Sequence, residues 1–185
     1  MKTLIINSSP RKNGDTMFLI NNLCKLLKGD QVIINTYYDN ISPCIDCRYC
    51  YKNKICKIND NMQYIYNCIE TFDNIIVATP LYYSQPTGSF LNFASRLQLY
   101  YVNKFINKSM KNIKEKKGGI ILTCGGDTKN TQEAEKTIRI ILNQINTKII
   151  STVYSVNTNI LRSNQDEQAI KQIYSMAEKF NNLTI

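Results

Sequence analysis

Five short apolar runs, each ending in a polar loop and followed by an amphipathic stretch, constrain this chain more than any other feature. They are Thr3–Asn7, Gln31–Thr36, Asn74–Thr79, Gly118–Thr123 and Lys148–Val156. Runs this short and this rich in Ile, Leu and Val read as strands buried on both faces. The stretches between them read as the covering helices. Thr16–Lys28 sets Leu19, Leu23, Leu26 and Leu27 on one side, with Asp15 as its expected N-cap. Met62–Phe72, Gly88–Tyr101 (Phe90, Leu91 and Leu97 inward), Thr131–Ile145 and Gln165–Asn182 repeat the pattern. Strand and helix in strict alternation imply an α/β fold: a doubly wound five-stranded parallel sheet, order 2-1-3-4-5, with helices on both faces. Such a sheet binds ligands beyond the carboxyl ends of its strands. We expect one domain over residues 1–185, with an insertion at about 40–60 and a solvated lysine-rich helix or loop at 103–117.

Composition removes several classes of function. The chain has no histidine, which excludes His-based acid–base catalysis, Ser/Cys-His nucleophiles and His metal sites. Any chemistry rests on a cofactor, on cysteine, or on Tyr, Lys, Arg and carboxylates. The net charge of +9 comes from scattered lysines with no nucleic-acid motif, so nucleic acid is not an expected partner. A basic surface instead favours an anionic ligand or an acidic redox partner. No apolar run reaches membrane-spanning length, and the apolar start at Leu4–Ile6 is too short for a secretory leader, so the expectation is cytoplasmic with no membrane partner.

Of seven cysteines, four fall within thirteen residues, Cys44-x2-Cys47-x2-Cys50-x5-Cys56. Cys24 and Cys68 sit at apolar helical positions and are expected to be buried and inert. Four thiolates on one loop converge on an iron–sulfur cluster or on tetrahedral zinc; free thiols and a thiol–disulfide switch complete the alternatives. Three cysteines at x2 intervals are more ferredoxin-like than zinc-like. Tyr49, Tyr51 and Ile55 would give the centre an apolar cover, and Lys52, Lys54 and Lys57 would offset its negative charge. The loop Ser8-Ser9-Pro10-Arg11-Lys12-Asn13-Gly14-Asp15-Thr16 gathers hydroxyls, amides, an arginine and a helix N-terminus, a setting for a phosphate monoester. It carries neither a GxGxxG nor a GK[ST] signature.

Ser9-Pro10-Arg11-x-x-Gly14-x-Thr16 resembles the phosphate loop of the NAD(P)H-dependent FMN reductase family of the flavodoxin-like superfamily. Thr79-Pro80-Leu81-Tyr82-Tyr83-Ser84, the helix from Gly88 to Arg96, and Thr123-Cys124-Gly125-Gly126 resemble further family segments in the same order. The resemblance implies a flavodoxin-like fold with Ser9, Arg11, Asn13, Gly14, Asp15 and Thr16 about the FMN phosphate. It puts Pro80, Leu81, Tyr82, Tyr83 and Ser84 along one ring edge, and Thr123, Cys124, Gly125 and Gly126 along another. Ser8 replaces the usual Gly, and Asp15 stands where Asn is common. The cysteine loop is similar to that of the iron–sulfur flavoproteins, a branch of the same family. There Cys44, Cys47, Cys50 and Cys56 would hold a [4Fe–4S] cluster, brought near an FMN by oligomerisation into a homodimer or homotetramer. The implied activity is FMN-dependent oxidoreduction with NAD(P)H as donor, or electron carriage for a small-molecule or protein partner.

Overall fold

The computed structural model describes residues 1–109 and 113–182. Its parallel strands are β1 (Lys2–Asn7), β2 (Asp30–Asn35), β3 (Asn74–Tyr82), β5 (Lys116–Thr123) and β6 (Thr147–Ser155), in the order β2-β1-β3-β5-β6. The two-residue strand β4 (Gln85–Pro86) folds back antiparallel on β3. Leaving β4 aside, this is the expected 2-1-3-4-5 order. The helices are α1 (Asp15–Leu26), α2 (Tyr49–Asn53), α3 (Met62–Thr71), α4 (Gly88–Ser95), α5 (Gln98–Tyr101), α6 (Gln132–Asn143) and α7 (Glu167–Asn181).

Alternation along each strand splits the apolar residues between two cores. Leu4, Ile6, Ile75, Val77, Ile120 and Leu122 face α3, α4 and α6, where Ile65, Ile69, Phe90, Phe93, Ile138 and Leu142 meet them. Ile5, Ile76, Ala78, Ile121 and Val153 face the other way onto Leu19, Ile20 and Leu23 of α1 and Ile173, Met176 and Phe180 of α7. With both faces covered, the polar groups that remain available lie at the sheet's ends. The loops after β1, β3, β5 and β6 therefore meet at one edge.

Four expectations need correction. Gly88–Tyr101 is not one helix: the chain turns at Arg96 and Leu97, continues as α5, and widens into a π turn at Val102–Ile106. Leu91 does not face inward but lies on the solvent side of α4, 40% exposed. Cys68 is fully buried, but Cys24 is only half-buried. Lys116 does not face water in a lysine-rich segment; it opens β5 at 2% exposure, its Nζ donating to the carbonyls of Lys114 (2.7 Å) and Ile145 (3.1 Å). Residues 110–112 of that segment lie outside the described residues.

Candidate functional site: a cleft at the sheet edge and a cysteine cavity

At the carboxyl edge, Ser9, Pro10, Arg11, Gly14, Asp15, Thr16, Pro80, Leu81, Tyr82, Thr123, Cys124 and Gly125 line one cleft, joined by Thr158 and Asn159. The cleft holds about 140 Å³ and opens widely to solvent. Its floor is polar and tightly specified. Asn7 Oδ1 accepts from Ser9 N at 3.0 Å, and Ser9 Oγ accepts from Arg11 N at 3.2 Å, curling the loop toward α1. Gly14 caps α1, where a side chain would meet Arg11 Cβ at 2.9 Å. The Thr16 and Thr123 hydroxyls bond across the cleft at 2.7 Å, joining α1 to β5. The Ser8 hydroxyl is buried with no partner among the described residues.

Asp15 does not cap its own helix. Its carboxylate turns away to accept from Arg162 Nε and Ser163 N, both at 2.9 Å, which ties the β6–α7 connection to the start of α1. Burial works against its charge, but these donors prevail and hold the carboxyl below the usual range. A carboxylate so engaged does not oppose a phosphate. We expect Asp15→Asn to change FMN affinity by less than about threefold while lowering stability by about 1–2 kcal/mol. The wild type loses this contribution as pH falls through the depressed pKa, since the unfolded chain then binds the extra proton. Flavin titration and urea unfolding check both parts; a large loss of FMN affinity at unchanged stability would reverse the assignment.

The other candidates take rim positions. Tyr83 and Ser84 form the tip of the β3–β4 hairpin with φ of 52° and 60°, the left-handed pair that a tight two-residue hairpin turn requires. Tyr83 is fully exposed, at 100%. The Ser84 hydroxyl accepts from Asn130 Nδ2 at 3.3 Å. Asn13 and Gly126 also stand outside the walls; a side chain on Gly126 would meet Asn130 Oδ1 at 2.3 Å. Cys124 lines the cleft with its thiol on the Gly126 carbonyl at 3.3 Å, and burial pushes that thiol up. Thr158 and Asn159 were not expected. They follow β6, so the rule that ligands gather beyond strand ends is the signal that finds them.

The second site is built by the loop after β2. Cys44, Cys47, Cys50 and Cys56 line one cavity with Ile58, Arg96, Gln98 and Leu99. Left-handed backbone at Asp46, Arg48 and Lys54 bends the loop around it, on both sides of the short α2. Neighbouring elements then pin the loop. Cys44 N donates to Ser95 Oγ (2.9 Å), Asn107 Nδ2 to the Cys50 carbonyl (3.0 Å), and Asn103 Nδ2 to the Lys54 carbonyl (2.9 Å). Ile55 and Tyr49 are exposed, so they rim the loop rather than cover it. All seven cysteines are free thiols. Burial, reinforced by the other three cysteines, pushes the Cys50 thiol up. Among the described residues, no three acidic, Cys or His side chains group closely enough to hold a single metal ion.

Arg96 sits beneath this loop at 2% exposure. Its Nη1 donates to Asp60 Oδ2 (2.6 Å) and the Ser42 carbonyl (2.9 Å), and its Nη2 to Cys56 Sγ (3.3 Å) and the Ile58 carbonyl (3.4 Å). Burial opposes both charges of the pair, yet each holds the other ionised: Asp60 lies below the usual carboxylate range and Arg96 above its ordinary value.

Residues 1–160 match the family described as NADPH-dependent FMN reductase. The chain is 39% identical over 102 residues to an iron–sulfur flavoprotein of Clostridioides difficile, covering 51% of this chain and 45% of that one. With an iron–sulfur flavoprotein of Methanocaldococcus jannaschii it shares 31% identity over 154 residues, 78% of this chain and 73% of that one. Its alignment thus spans less than half of the Clostridioides relative. Among solved structures it resembles the NAD(P)H:quinone oxidoreductase of Methanothermobacter marburgensis (TM-score 0.77, 9% identity, 100% and 99% covered). It also resembles an FMN-dependent NADH-azoreductase of Bacillus anthracis in complex with FMN (TM-score 0.67, 14% identity, 98% and 99% covered). At such identities the likeness establishes the flavodoxin-like fold. The chain belongs to the NADPH-dependent FMN reductase family, within its iron–sulfur flavoprotein branch. Among the described residues, no helix is long and apolar enough to cross a membrane.

Proposed function

We propose that the protein is a cytoplasmic, homo-oligomeric electron-transfer flavoprotein that takes electrons from NAD(P)H at an FMN and passes them on through a [4Fe–4S] cluster. One observation carries this reading: a cleft lined by the family's three flavin segments, and a cavity lined by four cysteines, on opposite ends of one short helix. The N-cap of α4, Thr87, donates its hydroxyl to the Ser8 carbonyl of the phosphate loop at 3.1 Å; Ser95 and Arg96, at the other end, hold the cysteine loop. Eight helical residues separate the two by about 12 Å.

The cleft suits FMN chemically. Ser9, Arg11 and Thr16 offer hydroxyl, guanidinium and α1 N-terminal amides to a phosphate. Tyr82 and Leu81 present an aromatic and an apolar wall suited to a flat ring. FMN, when bound, supplies the interchange between two-electron and one-electron chemistry. The residues position the ring and keep a face open to a nicotinamide, a task that needs no histidine.

The cysteines suit a cluster. One tetrahedral zinc would draw its four sulfurs to about 3.8 Å from one another, at the Zn–S distance of about 2.3 Å. A [4Fe–4S] cube would take one thiolate per iron, and Cys44, Cys47, Cys50 and Cys56, which line one cavity, would supply the four. Four reduced thiols as ligands also favour the cytoplasm. Exposed cations on the loop, Arg48, Lys52, Lys54 and Lys57, suit an acidic partner or the cluster's own negative charge.

The test is a visible spectrum of protein purified without oxygen, with iron and acid-labile sulfide assays, followed by NADPH or NADH. The expected result is flavin bands over broad sulfur-to-iron absorption, about four iron and four sulfide per chain, and rapid bleaching by the nicotinamide. Bleaching only by a reduced protein donor would make this an electron carrier. Metal without sulfide, and no turnover with any donor, would replace the reading with a zinc or thiol sensor.

A further inference from the structure

The residue that stands out beyond the two sites is Arg96, because stability alone does not account for it. A buried ion pair such as Arg96–Asp60 gains little over apolar side chains of the same volume, since desolvation of both charges offsets their attraction. Arg96 also leaves its buried Nε–H without a partner among the described residues, which adds a further cost. What the arginine provides that an apolar residue cannot is a planar fork. Nη1 holds the two ends of the cysteine loop, at Ser42 before it and Asp60 after it, while Nη2 reaches the Cys56 sulfur. The fork is itself fixed from behind: the Arg96 carbonyl accepts from Tyr66 Oη at 2.9 Å, inside the core. Asp60 in turn accepts from Ser42 N (2.9 Å) and Met62 N (3.0 Å), so the carboxylate cannot swing away.

We propose that Arg96 is a positioning residue for the cluster: it clamps the cysteine loop at both ends and, by donating to the Cys56 sulfur, raises the cluster's reduction potential. The proposal rests on the cluster reading above. Reduction adds negative charge that spreads onto the ligand sulfurs, so an N–H donor held against one of them favours the reduced form. Lysine keeps the charge beside Asp60 but cannot span Asp60 and Cys56 together.

The test compares wild type, Arg96→Lys and Asp60→Asn, each purified without oxygen with flavin bound. Cluster and flavin midpoint potentials are read by redox titration, and iron release to a chelator is timed. In Arg96→Lys the cluster potential is expected to fall by the equivalent of about tenfold in a one-electron equilibrium, about 59 mV. Iron release should quicken at least about threefold, and the flavin potential should stay where it was. Asp60→Asn, which keeps the arginine but loosens its anchor, is expected to shift in the same direction by less. An unmoved cluster potential and unchanged iron release in a folded, cluster-bearing variant would overturn the proposal and leave the cluster reading intact. Equal shifts at flavin and cluster would overturn it too, as general loosening. Wild type without iron and sulfide removes the cluster reading itself, and the proposal with it.

Discussion

Cys47→Ser is expected to strip iron and sulfide from the protein while leaving fold and flavin in place. Cys47 is exposed, and its side chain makes no hydrogen bond among the described residues, so its loss should alter stability by less than about 0.5 kcal/mol. The effect on a cluster is of another order. A serine oxygen is a hard ligand with a far higher pKa than a thiol, and removing one of four soft ligands opens the centre to solvent. Iron and sulfide should drop from about four to below one per chain, with the broad absorption lost and the flavin bands kept. Full iron and sulfide in this variant would sink the assignment of the four cysteines.

The second large effect concerns stability and pH. Burial, with Lys114 nearby, lowers the Lys116 ammonium to about 8 from the ordinary 10.5. The folded chain gives up this proton before the unfolded chain does. Between about pH 8 and pH 10.5 the unfolded state binds more protons, and stability from this group rises with pH. The full difference is about 3 kcal/mol, from about 1.4 kcal/mol for each pKa unit. Lys116→Met lacks that rise. Urea unfolding of both proteins at pH 7.5, 9 and 10 should therefore show the wild type gaining on the variant by about 2 kcal/mol, the part of the rise that falls in that window. Cys68, Cys124, Tyr66 and Tyr100 carry raised pKa values and pull the opposite way in alkali, but they are common to both proteins and cancel in the comparison. A pH-independent difference would mean that the ammonium is not desolvated.

What could be read in advance follows a physical division. Strand parity, as in Leu4 and Ile6 against Ile5, is written into consecutive residues, and so is the order of loops that a parallel sheet delivers to one edge. The spacing of Cys44, Cys47, Cys50 and Cys56 likewise announces a shared centre without any tertiary information. Arg96 was visible only as the last residue of a family helix. Its partners Ser42, Cys56 and Asp60 lie thirty-six or more positions away, and no local period connects them. Asp15 misled for a related reason. An acidic residue before a helix favours capping locally, but Arg162 and the Ser163 amide, brought in by the β6–α7 connection, offered stronger donors. Lys116 misled because composition assigns lysine to solvent, whereas two carbonyls at the foot of the sheet replace part of the hydration it loses.

The π turn at Val102–Ile106 has a bearing on how such a site arises. Asn107 N reaches back five positions to the Val102 carbonyl at 2.9 Å, one residue further than an α-helix allows, and this wider turn accommodates a residue that a regular helix could not. Removing one residue there would let the segment close into an ordinary helix with no backbone bond lost. Asn107 would keep its bond to the Val102 carbonyl, now four positions back, and with it its place beside the Cys50 carbonyl. In genetic terms, a single codon other than that of Asn103 can be lost from this turn without loosening the helix's hold on the cysteine loop.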